Sequence, residues 1–288
     1  VAGTARALRP ERVTVPPAAW WLIATTVNVT ASAFNAGLAD VAAPLAIGWF
    51  RMVVATLALA IITRGSFRHV PFRWSIVLLG ALIAIMNESF YVAVTLIDFS
   101  AVNTIILIGP IGLAAVLSRT PAQLAAAGLA GVGVVLIAAP WSASFAALGV
   151  GLSVVGAGAW VAFIFVGQRL TRAFPSAAIA VLGLFWSAVI QTPFALAVGG
   201  FPFLDRAAVM TIVIAAVLGG ALPYLAEMHV LQRMTARAYG ILQGMYPAIG
   251  VTVGVVVLDQ QPAVLALAGM AMVSVAAVLA STRTPGRL

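Results

Sequence analysis

Glu88 sits in the run IAIMNESFYVAV, residues 83–94, and is the only charged side chain between Arg73 and Asp98. A carboxylate at the depth of lipid tails costs at least about 2.5–3.5 kcal/mol unless it finds a partner or a wet cavity. Two readings fit. Glu88 is either a buried acid, fixed by hydrogen bonds or by Arg51 and serving packing, or it lies on a cavity wall. There it would bind a substrate ammonium or exchange a proton. Arg51, well inside the apolar run FRMVVATLALA, poses the same question with opposite sign. A guanidinium is a planar, two-pronged donor that matches a carboxylate such as that of an α-amino acid. The alternatives are an arginine whose stem snorkels along apolar surface or a permanent partner of Glu88.

Further polar side chains fall into a pattern. Thr25, Asn28, Ser32 and Asn35 follow at spacings of three, four and three, which places them on one helix face. Facing lipid they would lose their partners, so they must face a cavity or other helices. Asn87 and Tyr91 flank Glu88. Asn103, Trp160, Tyr224, Tyr239, Gln243 and Tyr246 complete a polar and aromatic set. Each alone reads as packing or an interfacial anchor; together they are expected to line one pocket. Trp186 joins them through an internal repeat, where GLFW (183–186) falls on GWFR (48–51) and sets Trp186 opposite Arg51. Glu227, upstream of Arg233 and Arg237, is expected to form a structural salt bridge.

Other chemistries find little footing. The chain has no cysteine and only two histidines, His69 and His229, neither with metal-ligand spacing around it. There is no HExxH or GxSxG run, and no G-x-x-x-x-G-K-[ST] run to couple ATP within this chain. No metal, no cofactor and no enzymatic activity are expected.

The elements that must position these residues follow from composition. Of 288 residues 63% are hydrophobic and 8% charged, with a mean hydropathy of +1.14. Soluble domains carry about 25% charged residues, so this chain is expected to be an integral membrane protein of the all-α class. Apolar runs long enough for a helix to cross a hydrocarbon core recur with short breaks, unlike the alternation of a barrel strand. Breaks at charges, Pro and Gly give ten spans: 18–37, 42–63, 74–96, 100–118, 121–139, 147–168, 176–198, 207–230, 236–258 and 262–281.

All 15 basic residues are arginine. With an even number of spans, Arg6, Arg9, Arg12, Arg64, Arg68, Arg73, Arg119, Arg169, Arg172, Arg233, Arg237, Arg283 and Arg287 share one side. Asp40, Asp98, Asp205 and Asp259 share the other, with Arg206 as the exception. Basic loops stay cytoplasmic, so both termini are expected inside. The net charge of +8 is thereby a topology signal, and a nucleic-acid partner is not expected. Trp20, Trp21, Trp49, Trp74 and Trp141 lie near span ends or mid-helix, and those at the ends read as interface anchors.

The chain is written twice. Pro121, Ala122, Leu124 and Gly128 fall on Pro262, Ala263, Leu265 and Gly269; Ala101…Pro110 matches Ala238…Pro247; and Glu88 falls opposite Glu227. Five spans per half is odd, so the halves insert upside down relative to each other, an arrangement that recurs in secondary transporters with substrate bound between the halves. The expected organisation is a cytoplasmic tail (1–17), a first five-helix repeat (18–141), a second (142–282) and a short cytoplasmic tail (283–288). Pro110, Pro193, Pro223 and Pro247 lie within spans and are expected to kink them. Gly240/Gly244 and Gly250/Gly254 form faces suited to close helix contact.

FRMVVATLALA with Arg51, MNESFYVAV, GAGAWVAFIFVGQR, ALPYLAEMHVLQR and the Tyr246-Pro247 helix together resemble the drug/metabolite transporter superfamily, in its ten-span EamA-type branch. The resemblance covers nearly the whole chain. GQR and ALPYxxEM are most similar to the threonine/homoserine exporter group, and aromatic amino acid exporters share the branch. The family's glutamate before the last span is replaced here, in LDQQP, by Asp259. The resemblance implies an inner-membrane secondary transporter that exports amino acids or similar metabolites by alternating access, working as a monomer. A multidrug or nucleotide-sugar exporter is the alternative within the superfamily. A channel would need a filter-like loop, and none is evident.

Overall fold

The computed structural model describes residues 16–35, 43–97, 99–138, 146–198, 206–258 and 263–281, which are helical and contain no strand. Both tails, Asp40, Asp98, Trp141, Asp205 and Asp259 lie outside the described residues, as do the side chains of Ser32 and Asn35. The helices are α1 (Pro17–Asn35), α2 (Pro44–Ile62), α3 (Trp74–Ala93), α4 (Phe99–Val116), α5 (Pro121–Ala138), α6 (Ala147–Ala173) and α7 (Ser176–Ala197). They continue with α8 (Arg206–Ala216), a π-helical segment (Val217–Ala221), α9 (Leu222–Arg233), α10 (Ala236–Gln243), α11 (Tyr246–Leu258) and α12 (Val264–Ser281).

Local chemistry sets several boundaries. Pro175 follows Phe174, whose backbone is extended (φ −138°, ψ 158°) and ends α6, as a residue before proline prefers. Thr235 caps α10 by accepting the Ala238 amide at 3.2 Å, the ordinary role of an N-cap hydroxyl. α2 ends on two left-handed residues, Arg64 (φ 52°) and Gly65 (φ 74°).

Among the described residues, five stretches are long and apolar enough to cross a membrane: Leu45–Ile62, Trp74–Ala93, Ala147–Ala173, Ser176–Ala197 and Val209–Arg233. Shorter apolar helices cover Val102–Val116, Pro121–Ile137 and Val264–Ala276. Large apolar side chains such as Ile61, Trp74, Val116 and Val264 are exposed on the outside. Trp21 is different: at 3% exposure it belongs to the core rather than to an interface.

The main core joins α2, α3, α6, α7, α9 and α10 through Met52, Leu79, Ile83, Phe163, Leu184 and Met228. A second joins α4, α5, α10 and α12, and a third lies between α3 and α4. Trp160 packs against all three. α5 lies against α12, α2 against α7, and α4 against α10. α3 packs on α6 and α7, while α9 packs on α1 and α8 on α2.

Glycines permit the tightest crossings. A Cβ on Gly269 would sit 2.6 Å from the Gly133 carbonyl, so α5 and α12 meet backbone to backbone. Gly240 rests on the Pro110 carbonyl of α4, as its small-residue face predicts, whereas Gly250 faces open space. Pro110 is accommodated within a continuous α4; the expected interruption of its counterpart is present, at Gly244–Met245 between α10 and α11.

Candidate functional site

The site begins with a backbone irregularity. In a continuous α-helix the carbonyl of Gly219 would accept from the amide of residue 223, but Pro223 has none. The chain relaxes into a π segment there, with the Leu222 amide bonded to the Val217 carbonyl. Gly219's oxygen is taken instead by Arg51, whose Nη2 donates to it at 3.2 Å across the α2 contact. Unmet backbone groups of this kind are common at π-bulges, which are frequent at functional sites.

The other arm of Arg51, Nη1, donates to the Tyr91 hydroxyl. Tyr91 reaches it because Gly48, one turn before Arg51, has no side chain: a Cβ there would lie 2.9 Å from the Tyr91 ring. Nε of Arg51 is enclosed, with no hydrogen-bond partner among the described residues. Tyr224 on α9 and Tyr246 on α11 are within electrostatic range of the guanidinium. Asn87, one turn from Tyr91 on α3, places Nδ2 3.4 Å from Met52 Sδ and lies beside the Tyr224 hydroxyl. Arg51, Asn87, Tyr91, Tyr224 and Tyr246 are thus brought together as expected, deep in the molecule yet each keeping some accessible surface.

Arg51 and Glu88 form no ion pair. The two arms of Arg51 go to neutral oxygens. Both oxygens of Glu88 are enclosed, with no hydrogen-bond partner among the described residues. The reason is rotational: Asn87 and Tyr91 are four apart and share a face of α3, while Glu88 is turned about 100° from Asn87.

Glu227 also departs from expectation. Its Oε1 accepts from the Tyr239 hydroxyl and from Gln243 Nε2 at 3.4 Å, not from an arginine. Arg233 Nη1 lies 3.0 Å from His229 Nδ1 instead. Tyr239 and Gln243 are buried, on adjacent turns of α10.

The remaining expected residues are more dispersed. Asn28 on α1 and Asn103 on α4 are half-buried and engaged with neighbours. Ser32 is on α1, and only its backbone is described. Trp160 lies beside Tyr239. Trp186 stands edge-on to Phe72 (6.1 Å) and Phe185 (5.5 Å), two exposed aromatics, rather than against the Arg51 group. The Gly219 carbonyl escaped sequence reasoning, although Gly-Gly followed by Pro223 was a usable signal.

At the end where α6 and α9 finish, two glutamines cross. Gln168 Nε2 donates to the Met234 carbonyl at 2.7 Å, and Gln232 Nε2 donates to the Thr171 carbonyl at 2.6 Å.

An apolar helical exterior around this polar interior defines a multi-pass membrane protein. Residues 147–282 match the model of the EamA-like transporter family. The resemblance to the drug/metabolite transporter superfamily is thereby borne out. It is similar to the threonine/homoserine exporter RhtA of Salmonella typhimurium (strain SL1344), at 28% identity over 199 residues. That match covers 68% of this chain and 65% of the relative, just under two thirds of the relative's length. The threonine/homoserine exporter RhtA of Escherichia coli (strain K12) is 28% identical over 201 residues, 69% of this chain and 68% of the relative. A solved crystal structure superimposes with a TM-score of 0.76 over 92% of this chain and 97% of its own, at 16% identity, a likeness of fold.

Proposed function

We propose that the protein is a secondary transporter that exports amino acids or related small metabolites across the inner membrane by alternating access, with both termini cytoplasmic. The observation that carries this reading is Arg51. Its guanidinium lies deep among apolar helices, is held only by a hydroxyl and a carbonyl, and has no carboxylate bonded to it among the described residues. A buried cation without a counter-ion is costly and attracts an anion. The carboxylate of an amino acid fits a guanidinium better than any uncharged solute. The two threonine/homoserine exporters named above favour the same substrate class.

Alternating access is supported by the helix contacts. Exchanging the first five spans for the last five turns α3–α6 into α9–α1, α3–α7 into α8–α2, and α4–α6 into α11–α1, all present. It leaves α2–α7, α4–α10 and α5–α12 as self-pairs. This is the pattern expected of two related halves, 18–141 and 142–282, flanked by the tails 1–17 and 283–288. The substrate would lie between the halves, against Arg51, Asn87, Tyr91, Tyr224 and Tyr246, with Asn28, Ser32, Asn103 and Trp160 completing the wall. Glu88, enclosed in this conformation, would meet substrate only as the halves move. One copy of the chain contains every group this mechanism needs.

The test is export by cells overproducing the protein, challenged with toxic analogues of threonine and homoserine, alongside counterflow of labelled threonine in proteoliposomes. Resistance and saturable counterflow that are lost in Arg51→Ala support the reading. Resistance to lipophilic cations alone, or flux that does not saturate, overturns it.

A further inference from the structure

Two acids lie within the helical body, Glu88 on α3 and Glu227 on α9, at matching places in the repeated sequence. Their surroundings differ. Glu227 is bonded through Oε1 alone, to Tyr239 and Gln243. Oε2 has no hydrogen-bond partner among the described residues, and unlike the Glu88 oxygens it is not enclosed. It is therefore the free acceptor of this acid. Repeat pairing explains the contrast: Ala101…Pro110 against Ala238…Pro247 puts Val102 and Ile106 where Tyr239 and Gln243 stand. Both are buried apolar residues, so the first half has no donors to hold an acid in place.

Tyr224 and Tyr246 are each within electrostatic range of both Glu227 and Arg51. Among the described residues no cation is bonded to Glu227. α1 and α7 carry no charged residue; α6 offers only Arg169 and Arg172, α10 only Arg237, and on α9 His229 and Arg233 engage each other. Tyr239 and Gln243 fix the carboxylate's orientation, which prepares the open oxygen for a ligand rather than for a neighbouring side chain.

We infer that Glu227 is the subsite for the positively charged end of the substrate, a primary ammonium, as the counterpart of the anion site at Arg51. The inference rests on the export reading for the substrate's identity, but the ammonium site itself can be tested apart from export. An open carboxylate oxygen accepts two or three N–H donors from an ammonium, and the amide of Gln243 and the hydroxyl of Tyr239 keep it from turning away. An uncharged solute, or one blocked at nitrogen, gains nothing from this arrangement.

The experiment uses the full chain in detergent and two probes. Threoninamide keeps the ammonium and lacks the carboxylate; N-acetylthreonine keeps the carboxylate and lacks the ammonium. Threoninamide should raise the melting temperature of the wild type and of Gly158→Ala, a position with nothing within 4 Å. In Glu227→Gln its apparent affinity should fall by about 10- to 100-fold, the order expected for losing a hydrogen bond to a charged group. N-acetylthreonine should act on Glu227→Gln as on the wild type. Should Glu227→Gln fail to fold, the wild type still decides: threoninamide should shield Glu227, and not Glu88, from carbodiimide modification mapped by peptide mass. Equal action of threoninamide on Glu227→Gln, absence of any effect on the wild type, or protection confined to Glu88 overturns the inference. Glu227-dependent amine binding without threonine counterflow would instead defeat the export reading and leave the ammonium site standing.

Discussion

Pro223→Ala separates the site from the stability of the helix that carries it. The substitution supplies residue 223 with an amide, and the π segment can then close into an ordinary α-helix whose 223 amide bonds to the Gly219 carbonyl. That carbonyl now accepts from Arg51 Nη2 at 3.2 Å. A hydrogen bond to a charged group contributes about 1.5–3 kcal/mol, so carboxylate affinity should weaken by about 10- to 100-fold if Arg51 swings out of register. Stability should move the other way. Proline in a helix interior is disfavoured by about 3 kcal/mol relative to alanine, less at the start of a helix where Pro223 lies. The assay is paired: half-saturation of threonine counterflow in proteoliposomes and the melting temperature in detergent. Weaker affinity with an equal or higher melting temperature is expected. Unchanged affinity, or affinity and stability falling together, would refute the proposed link between the missing amide and Arg51.

Three further outcomes follow from the same geometry. Tyr91→Phe removes the acceptor of Arg51 Nη1 and should weaken half-saturation by about tenfold, on the order of 1–2 kcal/mol, in the counterflow assay. Gly80→Ala places a Cβ 2.9 Å from the Ser187 backbone nitrogen of α7 and should destabilise by about 1–3 kcal/mol; Gly158→Ala, with nothing within 4 Å, should leave the melting temperature in place. Gln168→Ala and Gln232→Ala each remove one tie between the ends of α6 and α9, about 1 kcal/mol apiece, and should speed amide hydrogen exchange around residues 171 and 234 without altering exchange in α5.

The helices were legible because their signal is long and local. A run of apolar residues bounded by Arg, Pro or Gly needs no partner to be read, and α2 through α7 begin within a few residues of their expected starts. What the sequence concealed depends on how helices are turned against each other. Arg237 looked like a partner for Glu227 by proximity along the chain, but it is two residues from Tyr239, so it points about 200° away on α10. Arg233 follows Glu227 by six residues and is likewise off its face; four residues from His229, it bonds that ring instead. A pairing of Arg51 with Glu88 was one of the readings left open, because opposite charges in lipid attract, yet Tyr91 occupies the face of α3 that α2 approaches. Trp186 was placed opposite Arg51 by repeat alignment alone, which says where a backbone lies and nothing about which way a ring leans.

Trp160 touches each of the three apolar clusters. Oil-like regions that share one indole cannot loosen one at a time: a shift in any of them changes the fit of the same ring in the other two. The protein should therefore melt as a unit, and a rearrangement begun at one end of the bundle should be felt at the opposite end through a single side chain.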